Sequence, residues 1–187
     1  METQKIENLA KLIRYYILVS STEAGSGHPT SSLSATDLMT VLMFAGYFTF
    51  DFKNIADLNN DRLVFSKGHA TPLYYSLFLA AGLVSPEEIM RLRKFDSILE
   101  GHPTPRFKFT EAATGSLGQG LSVGVGMALG LKRRFETRGP EAEINRNDLN
   151  SKVSDFDVRI SDIPIVYVLL GDGEMAEGSV WEAANIA

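Results

Sequence analysis

The sequence predicts an α/β fold with a mostly parallel sheet and helices on both of its faces. Two apolar, strand-like segments, 62–65 and 165–170, each run directly into a glycine-containing turn, and helix-like segments lie between them. The second segment is an unbroken apolar run rich in β-branched residues, which predicts a strand buried on both faces. Ligands of open α/β sheets bind at the carboxyl ends of the strands, so we expect a functional site where these two segments end.

Composition places the chain among globular proteins and excludes several functional classes. It has 187 residues, of which 44% are hydrophobic and 22% charged, enough for one domain with a sizeable core. A formal net charge of −5 argues against a general binder of nucleic acid or of anionic membranes. The absence of cysteine excludes disulfides and thiolate metal sites. The first residues lack the layout of a signal peptide, so we expect a cytoplasmic protein.

Two amphipathic helices are predicted at the start of the chain. Apolar residues recur at helical spacing over 6–17, which indicates the first helix. Ser34 and Asp37 have the spacing of a capping box, and the helix that follows them is expected to end near Gly46. The apolar face predicted for this second helix consists of Leu38, Val41, Leu42 and Ala45.

The first strand candidate and two further helices follow. Residues 62–65 lead into the turn 66–69, and Pro72 then opens a helix, since proline is tolerated in the first helical turn. Ser85 is a good N-cap residue and Pro86 a good first helical residue, which together predict another helix start. The apolar positions expected on that helix are Ile89, Leu92 and Phe95.

Residues 112–131 carry no charge over a length that could span a membrane. Six glycines in this segment favour another interpretation, a loop that feeds a closely packed helix. The segment 132–162 is rich in charge and weak in periodicity, which is typical of a solvated excursion, and we assign it no chemistry.

The turn after the last strand carries Asp172 between Gly171 and Gly173. Two glycines permit tight or positive-φ geometry around this carboxylate. A carboxylate at the end of a strand suits Mg²⁺ that bridges to a diphosphate, because Mg²⁺ takes one or two carboxylates together with phosphate oxygens. The alternative is a strand-to-helix turn whose acidic residues, Glu174 among them, favour the start of a helix.

The chain has three histidines, and each follows a glycine in a predicted break between elements. His28, His69 and His102 could donate hydrogen bonds to diphosphate or sugar oxygens and move protons near neutral pH. Two alternatives remain open at this point: turn residues without a chemical role, and a zinc site completed by Asp172, although the spacing matches no familiar zinc motif.

Five blocks together resemble transketolase, in the order found in that family. They are GHPTS at 27–31, SKGHA at 66–70, GHPTP at 101–105, TGSLGQG at 114–120 and GDGEMAEGSVWEA at 171–183. The residues of these blocks look closest to those of the animal-type branch of the family. The resemblance implies the N-terminal, diphosphate-binding domain of a homodimeric enzyme that uses thiamine diphosphate with Mg²⁺ or Ca²⁺ and acts on sugar phosphates in the pentose phosphate pathway.

The resemblance also implies a role for individual residues. Asp172 would be a metal ligand, and Gly173 would donate a backbone hydrogen bond to the diphosphate. His28 and His102 would bind the sugar substrate and serve in catalysis, and Glu177 would couple two active sites across the dimer interface. The other residues implied to contact the cofactor are Ser31, His69, Gly115, Ser116 and Leu117.

Transketolases transfer a two-carbon ketol unit reversibly from a ketose phosphate to an aldose phosphate. Their second metal-binding block, an asparagine well downstream of GDG, has no counterpart here, and we expect Asn185 to be a structural or surface residue. The pyrimidine-binding and C-terminal domains of transketolases also have no counterpart within residues 1–187. We therefore expect 1–187 to be a partial diphosphate-binding domain of a longer chain, with a sheet incomplete at its C-terminus and no activity alone. The alternatives are a non-catalytic cofactor-binding subunit or remnant that needs a partner chain, and a 1-deoxyxylulose-phosphate synthase-like enzyme.

Overall fold

A computed structural model of the chain describes residues 3–137 and 164–187. Within these residues the chain forms seven α-helices, two β-strands and two short 3₁₀ turns. The helices are α1 (Thr3–Ala24), α2 (Pro29–Ser34), α3 (Thr36–Phe44), α4 (Thr71–Ala80), α5 (Pro86–Ile89), α6 (Gln119–Thr137) and α7 (Gly178–Ile186). The strands are β1 (Arg62–Phe65) and β2 (Val166–Leu169), and the 3₁₀ turns are Gly68–Ala70 and Gly173–Ala176.

The two strands pair in parallel, which confirms the predicted fold class. Arg62 lies opposite Val166, and Phe65 lies opposite Leu169. The ladder continues past β1, because the Lys67 N–H donates to the Leu169 carbonyl at 3.2 Å. Both strands therefore end at the same edge of the sheet, where parallel α/β folds place their ligands.

Helices cover both faces of this sheet, as predicted. Alternate residues of a strand point to opposite faces. On one face Phe65 packs against Tyr74 of α4, with ring centroids 5.0 Å apart, inside the main apolar cluster of the protein. On the other face α6 crosses the strands, and Gly124 lies against the side chain of Val168.

The prediction that the last strand is buried on both faces is wrong in part. Leu169 is buried, but Val166, Tyr167 and Val168 are only half-buried, and Ile165 is 40% exposed. The reason is that β1 is the single strand that pairs with β2 within the described residues.

The first predicted helix is confirmed, and the second is divided. α1 buries Ala10, Ile13 and Ile17 on one face. The predicted second helix breaks at Ala35 into α2 and α3. The capping box does not form, since the Ser34 hydroxyl donates to the Ser31 carbonyl at 2.9 Å and caps no helix N-terminus.

The apolar face predicted for the second helix is wrong in part, since Leu42 packs against the main apolar cluster but Val41 is 39% exposed. Leu38 is 63% exposed, whereas Thr36, Met39 and Thr40 of α3 are buried. The two threonines can be buried because their hydroxyls donate to carbonyls one turn earlier, at 3.1 Å and 2.7 Å. A hydrophobic pattern that counts threonine as polar therefore finds only part of the buried face.

The helix predicted after Ser85 starts as expected but is shorter. The Ser85 hydroxyl accepts a hydrogen bond from the Glu88 N–H at 3.1 Å, which confirms the N-cap. α5 ends at Ile89, and Arg93 then adopts a positive φ of 62° while its N–H donates to the Leu99 carbonyl at 2.8 Å. Phe95 consequently points into solvent and is fully exposed.

The glycine-rich segment leads into α6, as predicted. This helix continues to Thr137, so the charged excursion begins later than residue 132, and its part from 138 to 162 lies outside the described residues. Across the described parts of the chain, no helix combines the length and the apolar character needed to cross a bilayer.

Substituting Gly124 and Gly126 by alanine should change stability in opposite directions. A methyl group at 124 would collide with Val168, whereas one at 126 would meet no atom within 4 Å. We expect Gly124→Ala to lower the free energy of unfolding by about 1–3 kcal/mol through overpacking. We expect Gly126→Ala to raise it by up to about 1 kcal/mol through helix propensity. Denaturant unfolding of both variants tests this, and equal effects would contradict the packing of α6 on β2.

Candidate functional site

All five sequence blocks meet at the edge of the sheet where β1 and β2 end. The turn after β1 contacts the start of α2 through His69 and Ser31. The turn after β2 contacts the turn after β1 through Glu174 and Ser66. The two remaining blocks touch each other, because Gly115 lies against the ring of His102.

The three histidines lie close together. His69 Nε2 is 2.7 Å from the Ser31 hydroxyl, and the rings of His28 and His69 meet edge to face with centroids 5.1 Å apart. The His102 ring packs against Gly115, where an added Cβ would stand 2.6 Å from it. His102 is also near enough to His69 to lower its pKa. His28 and His102 are exposed, whereas His69 is half-buried. The structure thus gathers these five predicted residues in one place, and their chemical roles remain predictions.

The position of His69 determines its protonation state. Burial lowers the pKa of His69 below 6.5, and positive charge on His28, Lys67 and His102 lowers it further. His69 is therefore neutral at pH 7, with one ring nitrogen that donates a hydrogen bond and one that accepts. A neutral imidazole of this kind can hold the Ser31 hydroxyl and a ligand at the same time.

The loop that precedes α6 rests on the start of α7. Gly118 has a φ of +91°, and a Cβ there would stand 2.5 Å from the Ser179 hydroxyl and 2.8 Å from the Glu177 Cβ. Only glycine suits both the backbone angle and the space. The Ser179 hydroxyl donates to the Gly118 carbonyl at 2.9 Å. Ser116 and Leu117, just before this contact, are exposed and free to meet a ligand.

The turn after β2 presents Asp172 to solvent. Its backbone is helical, with φ −60° and ψ −47°, and neither neighbouring glycine has a positive φ, so of the two expected geometries the structure has the tight turn. The turn instead passes directly into the 3₁₀ turn 173–176, and the Met175 N–H donates to the Gly171 carbonyl at 3.3 Å. A Cβ at Gly173 would meet nothing within 4 Å, so the space in front of this turn is open.

Lys67 lies at the site but is not among the residues predicted from the sequence. Lys67 follows β1 and is only 5% exposed, with its ammonium nitrogen 3.4 Å from the Ser34 hydroxyl. Burial lowers the pKa of Lys67, while the carboxylates of Asp172 and Glu174 raise it. A lysine two residues after a four-residue apolar strand was the available signal, since lysine is rarely buried without a reason.

Glu174 was expected at the acidic start of a helix, but its carboxylate is buried. Glu174 is 1% exposed, and its Oε1 accepts hydrogen bonds from the Ser66 hydroxyl and, at 2.9 Å, from the Gly118 N–H. Its Oε2 accepts from the Gly171 N–H at 2.9 Å. No sequence signal distinguishes this glutamate from its exposed neighbour Glu177.

The zinc alternative finds no support in the geometry. Within residues 3–137 and 164–187, no group of three or more histidine, aspartate or glutamate side chains is placed to hold a metal ion. Asn185 is exposed on α7, as expected for a surface residue. On the same helix Trp181, the chain's only tryptophan, donates its indole N–H to the Met175 carbonyl at 2.9 Å.

Comparison with known proteins identifies the domain. The family described as transketolase, thiamine diphosphate binding domain, matches residues 6–187. A transketolase from Pongo abelii is 42% identical over 186 residues, which are 98% of this chain and 25% of that protein. One of the subunits of the apulose-4-phosphate transketolase from Phocaeicola vulgatus is 34% identical over 98% of this chain and 54% of its own length.

A solved structure shares the fold. Transketolase from Campylobacter jejuni subsp. jejuni NCTC 11168 superposes with a TM-score of 0.77 at 33% identity, over 100% of this chain and 26% of that one. The chain therefore spans about a quarter of the length of the animal relative and of this structure.

The His69 ring should titrate below 6.5 in an NMR experiment, because burial and its neighbours His28, Lys67 and His102 lower its pKa. His28→Gln should raise the midpoint of the His69 titration, since it removes one of the neighbours that lower this pKa. The free energy of unfolding should fall as the pH drops through 6.5, because the unfolded chain then takes up a proton that the folded chain refuses. A midpoint at or above 6.5 would contradict the burial of His69 among these neighbours. Glu182→Gln, which changes an exposed acid on α7, is the control.

Proposed function

Because the chain belongs to the transketolase family, as its thiamine diphosphate-binding domain, we propose that it holds thiamine diphosphate and a divalent metal in a transketolase. The reaction proposed is reversible transfer of a two-carbon ketol unit from a ketose phosphate to an aldose phosphate. The observation that carries the proposal is that all three histidines and Asp172 border the same end of the parallel sheet.

The residues at the turn after β2 fit a metal-bound diphosphate. Asp172 offers an exposed carboxylate, and the space before Gly173 is open. The buried ammonium of Lys67 adds a positive charge close to Asp172. Mg²⁺ prefers one or two carboxylates together with phosphate oxygens. We propose that Asp172 binds Mg²⁺ or Ca²⁺, that the Gly173 N–H donates to the diphosphate, and that Lys67 balances its charge.

The other cofactor contacts belong to the loops that surround the histidines. We propose that Ser31 and His69 contact the cofactor as a hydrogen-bonded pair, which their 2.7 Å separation supports. Gly115, Ser116 and Leu117 would line it from the loop before α6. Leu117 is 39% exposed, which leaves an apolar surface available to a flat ring.

Substrate recognition is proposed for His28 and His102, the two exposed imidazoles. When bound, thiamine diphosphate supplies the carbanion chemistry of ketol transfer. His28 and His102 would donate hydrogen bonds to sugar hydroxyls and to oxygen atoms that gain negative charge, and a well-placed donor of this kind contributes roughly 3 kcal/mol. His69 between them stays neutral and can relay a hydrogen bond from Ser31.

Assembly and cellular role form the last part of the proposal. Glu177 is exposed at the start of α7, where a partner could reach it, and we propose that it couples two sites in a homodimer. A transketolase of this kind would act in the pentose phosphate pathway in the cytoplasm.

A second candidate function is a cofactor-binding subunit that works with a separate partner chain. The Phocaeicola vulgatus relative supports it, because that protein is named as one of the subunits of its enzyme and this chain covers more than half of its length. Ketol transfer that appears only when a second chain is added would favour this second function. Ketol transfer by the purified 187-residue chain alone would contradict the expectation that these residues are inactive by themselves.

Thiamine diphosphate should bind to the complete protein only when Mg²⁺ or Ca²⁺ is present, as calorimetry can measure. We expect Asp172→Asn to weaken binding at least about tenfold, or 1.4 kcal/mol, because an amide lacks the charge that holds the metal. Glu182→Gln, which changes an exposed acid on α7, is the matched control. Binding that does not depend on metal, or an Asp172→Asn variant with normal affinity, would remove the metal role.

His102→Ala should lower kcat/KM for the donor sugar by about tenfold to a thousandfold while the affinity for thiamine diphosphate stays the same. The measurement is steady-state ketol transfer in the complete enzyme, and Asn185→Ala is the control. Unchanged donor kinetics would exclude His102 from substrate recognition.

A further inference from the structure

The structure assigns a positioning role to Glu174, a residue that the proposed function does not use. We propose that its buried carboxylate fixes three loops relative to one another, and that their backbone groups thereby line the cofactor site at the correct spacing. The identity of the cofactor rests on the proposed function, whereas the fixing of the loops does not.

The carboxylate joins segments that are distant in sequence. Its Oε1 binds the hydroxyl of Ser66, which is 108 residues away, and the N–H of Gly118, which is 56 residues away. Its Oε2 binds the N–H of Gly171. Each partner adjoins a proposed ligand contact: Ser66 precedes Lys67, Gly118 follows Leu117, and Gly171 precedes Asp172.

A glutamate meets this geometry better than other residues would. An ionised carboxylate only accepts hydrogen bonds and can accept several at each oxygen, and here two backbone N–H groups and one hydroxyl converge on it. Glutamine has the same shape, but one of its two terminal atoms is a donor. In either orientation its NH₂ group would face Gly118 or Gly171, and one backbone N–H would lose its partner. Aspartate is one methylene shorter and could not reach both sides.

Replacing a residue that only stabilises the fold would change amide hydrogen exchange throughout the protein. The test therefore needs a measurement at individual amides. In the chain without ligand, Glu174→Gln should speed hydrogen exchange at the Gly118 or Gly171 amide by about tenfold or more, because a buried donor has lost its acceptor. In the complete protein, the same change should weaken thiamine diphosphate and Mg²⁺ binding by about tenfold.

Ile13→Val serves as the control for stability. Ile13 is fully buried in α1, which packs against α2, α3 and α4, so this variant loses core packing at a distance from Glu174 and its partners in sequence. It should lower the melting temperature and leave both amides and the cofactor affinity unchanged. If Glu174→Gln behaves as Ile13→Val does, with neither amide nor affinity altered, the positioning role is overturned.

Ser66→Ala keeps the test decisive if Glu174→Gln does not fold. It removes one of the three donors and leaves the carboxylate in place, so exchange should rise at Gly118, which shares Oε1 with Ser66. Unchanged exchange at Gly118 would overturn the inference. If the parent protein binds no thiamine diphosphate, the proposed function fails, and the exchange measurements still decide the role of Glu174.

Discussion

The parallel pairing of β1 with β2 is the interaction on which the candidate site depends. It places the turn after Phe65 beside the turn after Leu169, although about a hundred residues separate them in sequence. The Lys67 N–H extends the ladder by one further hydrogen bond and so fixes the backbone from which its own side chain projects. Once these two turns are adjacent, a buried carboxylate can join them and a buried ammonium can face an exposed aspartate.

Local signals predicted the elements well, and long-range packing decided what they could not. The spacing of apolar residues predicted α1, the apolar runs predicted both strands, and the Ser85 cap predicted the start of α5. The break at Ala35 and the positive φ of Arg93 were not predicted, because neither position carries a glycine or proline that would mark it in the sequence. Part of the face that α3 buries was missed because its threonine hydroxyls donate to backbone carbonyls one turn earlier, which allows these residues to be buried.

The residues of the candidate site were also predictable from the sequence only in part. Glycine next to histidine or aspartate marks a turn between elements, so the three histidines and Asp172 could be predicted from the sequence as neighbours at one edge of the sheet, where the structure places them. Lys67 and Glu174 were missed because what distinguishes them is burial, and their burial results from segments far away in the chain. Polar residues look alike in sequence whether they face solvent or fill the space between loops.

The contact between Trp181 and Met175 has a practical consequence. The indole is 58% exposed, yet its N–H is held by a carbonyl three residues beyond Asp172. Indole emission changes with the polarity and hydrogen bonding around the ring. The only tryptophan of these 187 residues is thus a built-in fluorophore, which reports on the shape of the turn after β2 without any added label.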